Sequence, residues 1–126
     1  MYVRFVSTLP DLDTGRPIGV FHASLRIRRN PETPDYVVRL LEEHRDWFND
    51  HMHAPKRLTK SKYPHAMPVA LCWFQATATE HIARAHEVAA LISDFTFAIS
   101  MITSKRPGII IYRDPYQVAA VPYRNT

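Results

Sequence analysis

Apolar positions follow different rhythms along the chain, and each rhythm predicts a different element. Val69-Ala70-Leu71-Cys72-Trp73-Phe74 is unbroken where a half-exposed strand would alternate. It therefore reads as an inner strand, with both faces covered or both edges flanked by other strands, and with Cys72 buried inside it. Thr77 followed by Glu80 fits a capping box, which predicts a helix from about Ala78. Ile82, Ala85, Val88, Ala89 and Ile92 lay one apolar stripe along that helix, opposite Glu80, Arg84 and Glu87. Upstream, Val37, Leu40, Leu41, His44, Trp47, Phe48 and His51 or Met52 keep a helical period over about five turns. Thr33 as N-cap and Pro34 at the first helical position would start that helix, and Pro55 would end it.

Shorter patterns complete the order. Residues 2–8 are rich in β-branched and aromatic types and predict a first strand. The Asp, Pro and Gly residues of 10–17 are turn chemistry. From Ile18 the spacing of Phe21, Ala23 and Leu25 favours a short helix ending near Asn30, with a strand as the alternative on Val20 and Ile27. Strands are expected over Thr96 to Thr103, Ile109 to Tyr112 and Gln117 to Val121, joined by the turns Ser104 to Gly108 and Arg113 to Tyr116 into a meander. The order β-α-α-β-α-β-β-β defines an α+β fold, expected as a two-layer sandwich with helices on one face of a mixed sheet of about five strands. Residues 1–126 are expected as a single domain, long enough to bury a core without disulfides.

These segments resemble a small, uncharacterised family of bacterial single-domain proteins. The resemblance is carried by Gly19-Val20-Phe21-His22-Ala23 with Leu25-Arg26, and by Trp47-Phe48-Asn49 ahead of Pro55. It continues through Cys72-Trp73-Phe74 with Glu80-His81-Ile82, and Arg106-Pro107-Gly108 with Tyr112, Asp114, Tyr116 and Gln117. It covers nearly the whole chain and implies one domain of bacterial type, with no activity, cofactor or catalytic residue attached.

Charge changes this picture only mildly. Sixteen Lys and Arg against twelve Asp and Glu give a net charge of +4, which favours anionic partners without naming one. The single cysteine excludes an internal disulfide, the first residues lack the layout of a signal peptide, and no apolar run is long enough to span a bilayer. A cytoplasmic protein without membrane contact is the resulting expectation.

Several short motifs suggest chemistry and fail on their surroundings. Asp13-Thr14-Gly15 spells the aspartic-protease loop, but a chain with three predicted helices does not suit that fold, and Arg16-Pro17 follows where a small residue belongs. Asp11 and Asp13 open like a calcium loop whose later positions fall on Arg16 and His22. His51 and His53, with His44 and His65, lack a spacing that forces three ligands together. Cys72 lies among bulky hydrophobes short of the helix start, a poor setting for a thiolate. No glycine-rich phosphate loop is present. No catalytic, cofactor or metal residue is therefore expected, and a binding role is favoured over an enzymatic one.

Two surfaces remain. Lys56, Arg57, Lys60 and Lys62 in the long 54–68 connection, joined by Arg26, Arg28 and Arg29, form a candidate polyanion surface with Tyr63 available to stack. Arg106, Tyr112, Arg113 and Tyr116 form a candidate protein-contact patch. The leading expectation is an interaction or regulatory module that contacts a protein or self-associates as a homodimer. The alternative is a nucleic-acid-binding accessory protein, and a small enzyme comes third.

Overall fold

The computed structural model describes residues 1–11, 15–53 and 70–123. Its elements are β1 (Tyr2–Pro10), β2 (Pro17–Gly19), α1 (Val20–Arg29), α2 (Asp35–His51), β3 (Leu71–Gln75), α3 (Thr79–Phe95), β4 (Ile99–Ser104), β5 (Ile109–Arg113) and β6 (Gln117–Val121). The fold is α+β in the predicted order, with one addition. Ile18 lies in the three-residue strand β2 and not in the helix, which starts two residues later at Val20.

The six strands form one sheet of order β2-β1-β3-β6-β5, with β4 also pairing β1. Where a mixed sheet was expected, β1 with β2, β1 with β3, β3 with β6 and β5 with β6 are all antiparallel. The expected meander is also corrected, because β4 pairs β1 while β5 pairs β6. Consecutive strands pair readily across a tight two-residue turn. The Lys105–Gly108 link is longer, and Gly108, with φ of +143°, brings the chain against the carbonyl of Val121 at the end of β6.

The chain divides into two compact units. Unit 1 comprises residues 1–4, 52–82 and 103–126; unit 2 comprises 5–51 and 83–102. In unit 1 the register sets Leu71, Cys72, Trp73 and Phe74 opposite Ala120, Ala119, Val118 and Gln117. Trp73, Val118 and Ala120 are buried together, with Tyr2, Leu71 and Ile110 packed against them. The Trp73 indole N–H finds no acceptor among the described residues. The ring therefore stabilises through buried area, worth on the order of 25 cal/mol per Å².

In unit 2, α1 packs on α2. Val37, Leu41, His44 and Phe48 form the buried stripe of α2, and Ala85, Val88, Ala89 and Ile92 that of α3. Thr33 does not cap α2: its hydroxyl donates at 2.7 Å to the carbonyl of Ile27, satisfying the end of α1, and the Val38 amide bonds Pro34. The α3 ladder begins with Ile82 donating to Ala78, so the cap falls one residue past Thr77. The three arginines of the last turn of α1 complement its dipole.

β3 is internal, lying between β1 and β6, but Cys72 is exposed. The expectation of a buried thiol is therefore wrong. An unbroken apolar run reports here that both edges of the strand are flanked; Phe74, on the same face as Cys72, is buried, so the cover of that face stops short of Cys72.

Candidate functional site

A dense cluster of polar side chains among the described residues lies in unit 1, around the turn between β5 and β6. Asp114 closes that turn as an Asx-type cap. Its Oδ1 accepts from the Tyr116 amide at 2.8 Å and the Gln117 amide at 3.0 Å. Its Oδ2 accepts from the Tyr112 hydroxyl at 2.7 Å and from Gln117 Nε2 at 3.1 Å. Its carbonyl accepts from Gln75 Nε2 at 2.5 Å, which ties the turn to β3. Gln117 Nε2 also donates to the carbonyl of His53, and His81 stacks on Tyr116 at 4.4 Å.

These bonds set the charges. Burial pushes the Asp114 carboxyl up, but the bonds donated by Tyr112, Tyr116 and Gln117 outweigh it and hold the group below the ordinary carboxylate range. The same hydrogen bond, with burial and the Asp114 charge behind it, pushes Tyr112 up to about 12. Since its folded pKa lies above the unfolded value of about 10, Tyr112 contributes stability below that pH, and the contribution is lost as pH rises towards the folded value. In a tyrosinate absorbance titration of the native protein, Tyr112→Phe should remove the latest-ionising phenol and leave the earlier ones in place. Loss of an early-ionising phenol instead would refute the Tyr112–Asp114 bond.

Cys72 is open to solvent by surface area, yet its sulfur is crowded enough for desolvation to raise its pKa. Exposure governs access and crowding governs charge, so the thiol is reachable and protonated. Arg4 opposes the shift and Asp114 adds to it; among the described residues no histidine contributes to it. Ellman's reagent should titrate this thiol in the native protein, with a rate that keeps climbing as pH passes the ordinary value of 9.0. A thiol that stays silent until denaturation, or that reacts at full rate near neutrality, would contradict this environment.

The protein-contact residues named above are brought together only in part. Tyr112 is turned into the Asp114 bond, and Tyr116, 41% exposed, lies against His81. Arg113 is exposed, donates to the Tyr2 hydroxyl at 2.9 Å and lies over the Tyr2 ring. Arg106 and Lys105 are exposed just ahead of β5.

Among the polyanion candidates, Lys56, Arg57, Lys60 and Lys62 lie outside the described residues, as do Tyr63 and His65. Arg26 in unit 2 is held by Asp11 at 2.8 Å. Arg29 is exposed, and burial followed by the nearby Arg45 lowers the pKa of Arg28.

Asp13 and Thr14 of the protease-like motif also fall outside the described residues. The histidines weighed as ligands are dispersed. His44 is buried on α2 with Nε2 at 3.4 Å from Glu87 of α3. His51 stacks on Trp47 at 4.2 Å and shares a 2.7 Å hydrogen bond with its carbonyl. Among the described residues no three His, Cys, Asp or Glu side chains are placed to hold a metal ion. Among those residues, too, no helix is long and apolar enough to cross a membrane.

The residue missed from sequence is Asp114, and its signal was present. An aspartate before Pro115, with amides two and three positions on, is the pattern of an Asx turn. No family model matches the chain, and neither a curated protein nor a solved structure matches it.

Proposed function

We propose that the protein is a non-enzymatic interaction module of the bacterial cytoplasm that binds an acidic protein partner through unit 1. The observation behind this reading is the uneven division of charge. Unit 1 contains nine of the sixteen Lys and Arg residues and two of the twelve Asp and Glu, leaving seven basic against ten acidic in unit 2. A modest net charge of +4 thus sums a strongly basic set of stretches and a mildly acidic one. Such a unit steers acidic surfaces towards itself and penalises basic ones. The acid–base groups of unit 1 fit a binding role: the Asp114 oxygens are engaged by four donors, and the Cys72 thiol is held protonated.

Panning a random peptide library against the immobilised protein tests the reading. Enrichment of acidic sequences is expected, and enrichment indifferent to charge would defeat it. One observation favours nucleic acid as a second reading: four of the nine basic residues, Lys56, Arg57, Lys60 and Lys62, fall within seven consecutive positions. Labelled DNA and RNA titrated at two salt concentrations separate the two, since phosphate binding weakens steeply with salt. Loss of that binding when these four residues become alanine would favour the second reading.

A further inference from the structure

We infer that the outer edge of β5 is a strand-addition site for an extended, acidic segment of a partner protein. The inference rests on the basic, partner-binding character of unit 1 and goes beyond it by naming the place and the chemistry. Among the described residues β5 ends the sheet, pairing β6 on one side only. Its other edge therefore presents a row of backbone donors and acceptors, the template for an added strand. Ile109, Ile110 and Ile111 are β-branched and hold an extended backbone. Ile109 is 52% exposed and offers that edge an apolar contact.

Charge brackets this edge. Exposed Lys105 and Arg106 stand before β5, and exposed Arg113 ends it. Arg113 bonds the neutral Tyr2 hydroxyl, which does not offset its charge. The adjacent carboxylate, Asp114, spends both oxygens on donors inside the hairpin. The result is a basic, apolar, basic strip from Lys105 to Arg113, of which the strand Ile109–Arg113 spans on the order of 15 Å. Its complement is a short β-branched segment with acidic residues at each end.

A second copy of this chain fits poorly. Self-pairing of β5 would gather Lys105, Arg106 and Arg113 of both copies along one seam, where like charges repel. The register slips between Ile110 and Tyr112, which limits regular pairing on this edge to a short added segment, whatever its source. A nucleic-acid strand meets the charge but lacks the alternating amide donors and acceptors that the edge requires.

The probe is a fluorescein-labelled peptide of alternating valine and threonine with Asp-Glu at both ends, read by anisotropy beside a counterpart with Lys-Lys ends. The acidic peptide should bind at least tenfold more tightly. Lys105→Glu with Arg106→Glu, and separately Arg113→Glu, should each weaken it at least fivefold, and in the complex outward amides of Ile109–Arg113 should gain exchange protection. If acidic peptides bind but both variants are indifferent, or protection appears elsewhere, the edge assignment fails while the basic-unit reading stands. If neither this peptide nor the panned library shows acidic preference, both fall. A DNA duplex that displaces the peptide and is itself lost in the same variants would overturn strand addition in favour of a polyanion surface.

Discussion

Gly108→Ala is expected to lower the unfolding free energy by about 3–5 kcal/mol. Two costs combine at this position. The backbone φ of +143° lies where side-chain-bearing residues are strained. An added Cβ would also stand 2.1 Å from the Val121 carbonyl oxygen and 2.6 Å from its carbon. Those atoms belong to backbone at the end of β6, so no rotamer change relieves the overlap. Gly15 is the control, with φ of +69° but nothing within 4 Å of an added Cβ. Gly15→Ala should cost only the conformational term, about 1–2 kcal/mol. Denaturant unfolding of both variants decides the matter, and near-equal losses would refute the close approach of Gly108 to β6.

Asp114→Ala should cost about 2–3 kcal/mol, since hydrogen bonds to an ionised acceptor are the stronger kind and their donors would be left without it. The Tyr116 amide, the Gln117 amide, the Tyr112 hydroxyl and Gln117 Nε2 all lose their acceptor. Asp114→Asn keeps one carbonyl oxygen, which can serve the two amides, and should recover roughly half the loss. The pH dependence has a definite sign. The folded pKa of Asp114 is depressed, so its contribution is complete above the unfolded value of about 3.9 and is lost as pH falls through the folded value. Wild type and Asp114→Ala should therefore converge in stability on acidification below about pH 4. A constant gap between them across that range would show that the carboxylate is not the acceptor described.

The helices were legible because periodicity over many residues averages out local accidents. Val37, Leu41, His44 and Phe48 repeat at three- and four-residue steps, and all are buried. β2 was not legible, because three residues cannot display a period and Ile18 fits a helical stripe equally well. Thr33 looked like a cap because the residue type is right, but its hydroxyl serves the preceding helix instead. The exposure of Cys72 was hidden for a related reason: a central strand and a buried side chain produce the same apolar letters.

The partner-facing reading was the least visible in sequence. Each unit is assembled from separated stretches, so a charge division of nine basic to two acidic in one of them does not appear in any contiguous window. Tyr112 looked like a member of an exposed patch, but its hydroxyl donates to Asp114. What their bond leaves facing outward is the backbone edge of β5 and the cations at its ends.

Residue-resolved amide hydrogen exchange of the free protein tests the open edge most directly. The amides of Cys72 to Phe74 and Val118 to Ala120, inside the sheet on β3 and β6, should exchange only with global unfolding. Along Ile109–Arg113 the amides facing β6 should be slow and the outward ones orders of magnitude faster. Uniformly slow exchange through all of β5 would mean that its outer edge is covered, and the proposed binding strip would not exist.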